Sequence, residues 1–223
     1  MNQQHNEISV GGDVGGNVVA GNGNTVGAAP APRAEQRPAV DGMAPRLGFV
    51  VDVVGFGHRD AESQAELQHR LDELVRRVLA DLGIDPEDTI GSDSGDSRLA
   101  FLPAGVDWSR VLPTMISAMG ERLGRDNRRY RDRMRLRMSI GTGLVGTGPL
   151  GFTGQLVVDL HRLVDSEVLR QSIRDHPDTD LVVLVSQALH DDVIRPGHLD
   201  PADFTPVTVT AKEFAAPAWL RLC

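Results

Sequence analysis

Leu47-Gly-Phe-Val-Val-Asp-Val-Val-Gly-Phe-Gly57 is a continuous apolar run broken by one carboxylate. Its Val and Phe content, stopped by Gly-Phe-Gly, predicts a central strand with both faces covered. Asp52 then sits inside a buried strand. A carboxylate in such a place must be paired, hydrogen-bonded or bound to a cation, since ionised and alone it costs several kcal/mol. Two roles fit it: a structural Asp capping the following turn, or a ligand for a cation.

Downstream, Asp60 is placed to cap a long amphipathic helix in which Leu67, Leu71, Leu74, Val75, Val78, Leu79 and Leu82 follow the i, i+3, i+4 pattern, with Gly83 at its end. Residues 88–103 read as two strands joined by a polar turn, with Asp96 at the start of the second. A second helix runs from about Asp107 to Leu123 and stops before a basic tract, Arg125, Arg128, Arg129, Arg131, Arg133, Arg135 and Arg137, interleaved with Asp126 and Asp132. That tract is either a solvated helix end and strand face, or a patch for phosphates or an acidic partner. Residues 135–141 predict a strand, followed by a Gly-rich turn, a helix from about Gln155 to Asp175, the buried strand Leu181–Val185, and closing strands near Phe204–Thr210 and Ala216–Leu222. This order of strands and helices predicts an α/β, α+β sandwich of one sheet and several helices.

Upstream, two segments differ from the globular part, which is expected to span 47–223. Residues 28–46 contain four prolines among Ala and charged residues and read as a linker. In residues 1–27, Ile8, Val10, Val14, Val18, Ala20 and Val26 fall at even positions and Glu7, Ser9, Asp13, Asn17 and Thr25 at odd ones, which is strand periodicity. Gly-Gly-Asp-Val followed by Gly-Gly-Asn-Val suggests short rungs that copies of the chain could stack. A flexible Gly-rich tail fits the same composition.

The net charge of -8 over 223 residues argues against a nucleic-acid partner. The lone Cys223 excludes an intramolecular disulfide and fits a reducing compartment. No run approaches the roughly 20 apolar residues of a membrane span, so no membrane is expected and the cytoplasm is the expected location.

Gly141-Thr-Gly-Leu-Val-Gly146 matches G-x-G-x-x-G after a strand, but Thr-Gly-Pro-Leu-Gly intervenes before any helix can begin. A dinucleotide fingerprint needs its glycines to open that helix, so the context fails. Asp52 and Asp96 are more informative. Each lies beside a strand end, and two carboxylates at one sheet edge suit Mg²⁺ or Mn²⁺ together with substrate phosphates.

Four motifs then occur in order. Asp52-Val-Val-Gly-Phe-Gly57 resembles the D-x-x-G-F-T opening of class III nucleotidyl (adenylate/guanylate) cyclase domains, and Gly95-Asp96-Ser-Arg-Leu-Ala100 resembles their G-D-x-x-x-A hairpin. Arg137-Met-Ser-Ile-Gly-Thr-Gly143 resembles R-x-G-I-H-x-G, and Gly154-Gln-Leu-Val-Val-Asp-Leu-His-Arg-Leu163 resembles G-x-x-V-N-x-A-A-R-L. The C-terminal part is similar to cyclase-homology domains of actinobacterial signalling proteins, and residues 6–27 resemble bacterial amyloid-signalling motifs. The resemblance implies a ferredoxin-like cyclase fold, a mostly antiparallel sheet covered by helices.

It also implies roles. Asp52 and Asp96 match the two metal aspartates, Gly55, Phe56 and Gly95 the nucleotide-binding turns, and Arg162 the transition-state arginine supplied by a second subunit. Four positions depart from the pattern: Val158 stands for the transition-state asparagine, Ser92 for the base-reading lysine, Gly151 for its acidic partner and Gly141 for the motif histidine. A lost transition-state donor costs about 3 to 4 kcal/mol, and a site that cannot hydrogen-bond its base loses discrimination. The expectation is a divergent domain that binds metal and a nucleoside triphosphate in bacterial signalling or defence, as a homodimer or as a heterodimer with another cyclase-type domain, with weak or no cyclase activity. The alternatives are an active cyclase releasing pyrophosphate, and an assembly module in which residues 6–27 engage an amyloid-motif partner.

Overall fold

The computed structural model describes residues 41–211 and 214–223. The expected rung-forming segment 1–27 and the linker up to residue 40 lie outside the described residues. From there the chain runs β1 (Asp41–Val53), α1 (Ala61–Asp81), β2 (Ile90–Ser94), β3 (Ser97–Phe101), α2 (Trp108–Asn127), β4 (Leu136–Gly148), β5 (Gly151–Thr153), α3 (Gln155–Val164), α4 (Glu167–Asp175), β6 (Leu181–Ser186), α5 (Gln187–Leu189) with a π-helical turn (His190–Ile194), β7 (Thr205–Ala211) and β8 (Phe214–Leu222). The strands form one eight-stranded sheet in the order β2-β3-β1-β4-β6-β8-β7, with β5 paired to β4. The pairings are antiparallel except that of β4 with β6. The sheet is therefore mixed and mostly antiparallel.

Strand alternation divides the core between the two faces of this sheet. Leu47, Phe49, Val51 and Val53 of β1, with Leu136, Met138 and Ile140 of β4 and Leu181, Val183 and Val185 of β6, pack against α1 and α2. Val50, Val182 and Leu184 point the other way and meet Leu156, Leu160 and Leu163 of α3 and Leu169 and Ile173 of α4. Helix α1 is started by Asp60, whose carboxylate accepts the Ser63 amide at 2.8 Å, and is closed by Gly83 at φ +69°.

Helix α3 lies close to the sheet because the residues beneath it are small. Ser139 donates its hydroxyl to the Leu160 carbonyl at 2.8 Å. A Cβ on Gly48 would come within 3.1 Å of Leu160 as well as 2.5 Å of the Phe101 ring of β3, and one on Gly143 within 3.1 Å of Leu156.

Three expectations are corrected here. β1 starts at Asp41, so residues 41–46 belong to the globular part and not to the linker, with Ala44 and Pro45 paired to Val145 and Leu144. β3 pairs with β1 only from Gly48 onward, which leaves an edge where a proline is tolerated. The Gly-rich turn expected after Gly141 is strand, since β4 continues to Gly148 along that extension of β1. The helix expected over 155–175 is two helices. Ser166 leaves the helical conformation and its hydroxyl accepts the Leu169 amide, capping α4 as a new helix.

Candidate functional site

Asp52 lies one residue from the end of β1, on the α3 face, and is 8% exposed. Its register partner on β4 is Arg137. That arginine donates Nε to Asp52 Oδ2 at 3.0 Å and Nη2 to the same oxygen. Burial pushes the Asp52 carboxyl above its ordinary value, Arg137 pulls it back, and the neighbouring carboxylates Asp96 and Asp165 push it up again. Three negative groups thus converge on this end of the sheet. Among the described residues, Arg137 is the cationic side chain that pairs with Asp52.

The turn between β2 and β3 brings Asp96 to the same end. Gly95 takes φ +55°, a conformation glycine adopts without steric cost. The Val53 amide donates to the Asp96 carbonyl at 2.9 Å, and Gln68 of α1 donates to the Gly95 carbonyl at 2.9 Å. The chain leaving β1 turns at Gly55, φ +71°, and Phe56 packs against the α1 face of the core. Arg59 fixes this turn by donating to the Val54 carbonyl at 3.0 Å and to Asp132 at 2.7 and 3.0 Å. Asp52, Gly55, Gly95 and Asp96 therefore meet at one sheet edge, positioned by backbone hydrogen bonds.

Solved structures share this fold. The guanylyl cyclase Cya2 is 15% identical with a TM-score of 0.55, over 82% of this chain and 93% of that one. An adenylate/guanylate cyclase/hydrolase from Silicibacter pomeroyi gives 15% identity and a TM-score of 0.55, over 82% of this chain and 99% of that one. The fold is that of nucleotidyl cyclase domains. The catalytic core of a rhodopsin-guanylyl cyclase with converted specificity, in complex with ATPαS, gives 11% identity and a TM-score of 0.54, over 81% of this chain and 96% of that one. No protein-family model matches the chain, and no curated protein matches it in sequence.

Within this cyclase fold, the residues expected from a second subunit stand apart from Asp52. Val158 is 42% exposed on the outer side of α3. Arg162, also exposed, lies over the Phe214 ring with its guanidinium 5.0 Å from the ring centre, and makes no hydrogen bond or ion pair with Asp52 or Asp96 among the described residues. Two of the departures have local physical causes. Gly151 takes φ +112° at the start of β5, which strains any other residue, and a Cβ on Gly141 would meet Leu156 at 3.0 Å. Ser92 is exposed on β2, opposite Leu99.

Among the described residues no cluster of three or more His, Cys, Asp or Glu side chains could hold a metal by itself. Two carboxylates, one of them also held by Arg137, suit a Mg²⁺ or Mn²⁺ ion whose remaining ligands are phosphate oxygens and water. Sequence reasoning missed Arg137 and Asp165 as parts of this edge. The pairing of Arg137 with Asp52 depends on the β1–β4 register, and Asp165 was hidden inside a helix that in fact ends there.

The basic tract is largely structural in its second half. Arg133 holds Asp180 at 2.6 Å and the Pro177 and Asp178 carbonyls at 2.7 Å each. Arg135 donates to the carbonyls of Thr179 at 3.0 Å and His176 at 2.8 Å. Among the described residues no helix is long and apolar enough to cross a membrane.

Proposed function

We propose that this domain binds a nucleoside triphosphate with Mg²⁺ or Mn²⁺ at the Asp52–Asp96 edge, and acts as a regulatory module in bacterial signalling or defence that cyclises its nucleotide weakly or not at all. The observation that carries this reading is the geometry that brings Asp52 and Asp96 to one end of the sheet, Asp52 opposite Ser97 and the Val53 amide on the Asp96 carbonyl, with Arg137 paired to Asp52. A divalent cation bridging to phosphates suits two neighbouring carboxylates at such a place. Asp52 and Asp96 would hold the ion, which would polarise the phosphate and lower the pKa of a coordinated hydroxyl. Arg137 would be free to turn toward a phosphate once the ion neutralises Asp52. The complex of a structurally similar cyclase core with ATPαS supports a nucleotide as the ligand.

Weak turnover follows from α3. Val158 offers no hydrogen bond to a transition state, and Arg162 reaches a substrate only if a second subunit brings it there. Dimerisation across the α3 face, with a like chain or another cyclase-type domain, would supply that geometry. The reading as an active cyclase draws on Asp52, Asp96 and Arg162 together, and differs in one observable.

The test is to incubate the full chain with ATP, GTP, CTP or UTP plus Mn²⁺, following both cyclic product and thermal stabilisation, beside Asp52→Asn. Stabilisation by one nucleotide, absent in Asp52→Asn and without product, is expected. Product that disappears in Asp52→Asn would replace the regulatory reading with a catalytic one. If neither signal is seen with any nucleotide, nucleotide binding is wrong.

A further inference from the structure

On the opposite side of the sheet from α3, helices α1 and α2 enclose a cleft lined by Arg70, Glu73, Leu74, Arg77, Arg122, Arg125, Asp126 and Arg129, with a volume of about 200 Å³. Five guanidiniums face two carboxylates. Their commitments differ in a way that matters for a ligand.

Arg70 is spent on the fold. It is 2% exposed, donates Nε to Asp126 at 2.9 Å and Nη1 to the Asp132 carbonyl at 2.9 Å, and lies 4.1 Å from the Tyr130 ring centre. Arg77 pairs with Glu73 of its own helix, and Arg122 makes a two-toothed pair with Asp81 across the helices. Arg125 is looser, donating to the Glu121 carbonyl at 3.3 Å, with the Glu121 carboxylate 3.6 Å away. The Arg129 guanidinium has no hydrogen bond or ion pair among the described residues. Arg122 and Arg125 share one face of the last turns of α2 by their i, i+3 spacing, and Arg129 follows in the turn just past its end. The cleft therefore presents two guanidiniums with open donors, backed by three that are held in place by carboxylates.

We propose that this cleft binds a small phosphate anion of pyrophosphate size, independently of the Asp52–Asp96 edge. Guanidinium forks match phosphate oxygens two at a time and form hydrogen bonds about twice as strong as neutral ones. The cleft is open to solvent on one side and has room for one or two phosphate groups between its arginines. The bound anion bridges α1 and α2 through Arg77, Arg125 and Arg129, so binding stabilises the helix pair that covers this face of the sheet.

The test is a thermal and calorimetric titration of the full chain with sodium pyrophosphate in EDTA, with sodium chloride at matched ionic strength as the screening control. The expected result is saturable stabilisation at submillimolar pyrophosphate, weakened at least about tenfold in Arg125→Ser/Arg129→Ser. Asp52→Asn and Arg128→Ser, an exposed arginine outside the cleft lining, should retain it. Both serine positions are solvent-exposed, and an unchanged circular-dichroism spectrum would show that the double variant is folded. Should that variant unfold, Arg125→Lys/Arg129→Lys keeps the charge, loses the fork, and is expected to weaken binding to a smaller degree. The proposal is overturned by the absence of saturable binding, by equal stabilisation with chloride, by binding that survives the double serine variant, or by binding lost in Asp52→Asn.

Discussion

The two faces of the sheet are built from different material. Beneath α1 and α2 lie Leu47, Phe49, Val51, Met138 and Ile140, all 1% exposed or less, in a face of large apolar side chains. Beneath α3 lie Gly48, Ser139, Gly141 and Gly143, followed by the charged Asp52 at the sheet's end. The first face is filled by side chains. The second lets a helix approach closely and leaves a carboxylate at its end, and its outer surface shows Val158, while the β4–β5 hairpin shows Leu144 and Leu150 at 42%, 55% and 103% exposure. One face holds the fold, and the candidate chemistry sits on the other.

That contrast makes graded predictions. Phe49→Ala should be the most damaging change, costing about 3 to 5 kcal/mol by leaving a cavity in the filled face, a large share of the total stability of a typical domain. Chemical denaturation of the purified variant measures it, and a loss below about 1 kcal/mol would mean that this face is loosely packed.

Gly48→Ala on the α3 side should cost less, about 1 to 3 kcal/mol, by forcing Phe101 and Leu160 apart. A neutral or stabilising outcome would show that α3 does not rest closely on the sheet.

Asp60→Ala should lower the melting temperature more modestly by removing the cap of α1. The Ser63 backbone and side-chain hydrogen bonds hold the Asp60 carboxyl below its ordinary 3.8. For a depressed carboxyl the stabilisation is present above the unfolded value and lost as pH falls through the folded one, so the gap between wild type and variant should close on acidification below about pH 4. Melting curves from pH 7 to pH 3 test this, and a gap that persists unchanged at pH 3 would exclude the carboxylate as its source.

Val158→Asp should be nearly silent for stability, within about 0.5 kcal/mol, because the side chain meets solvent. If the α3 surface joins a second subunit, the same change should shift the chain toward monomer in sedimentation experiments. A dimer that tolerates the aspartate would move the interface elsewhere.

The cyclase fold was legible in the sequence because its strongest signals are local. The apolar run at Leu47–Val54 has the pattern of a strand buried on both faces, and the Asp60 and Asp107 caps with their apolar spacing define α1 and α2. Gly95-Asp96 marks a hairpin because a positive φ is needed there. Where the reading failed, the deciding interaction was distant. The glycines from Gly141 to Gly148 look like a turn until β1 is known to extend back to Asp41 and pair with them, and the break at Ser166 depends on a capping hydroxyl competing with an otherwise continuous helical pattern.

The sequence by itself determined most of the strands and helices, because hydrophobic period and capping residues act within a few positions of the chain. It also supplied the carboxylates Asp52 and Asp96 as candidates, since a charge within an apolar run is unusual enough to notice. Only the tertiary structure decided that Arg137 sits opposite Asp52, that Asp165 adds its charge to the same edge, and that Arg77, Arg125 and Arg129 share a cleft while Arg133 and Arg135 are spent on backbone carbonyls. Those outcomes depend on strand register and helix packing, which bring together residues far apart in sequence, and no local pattern encodes them.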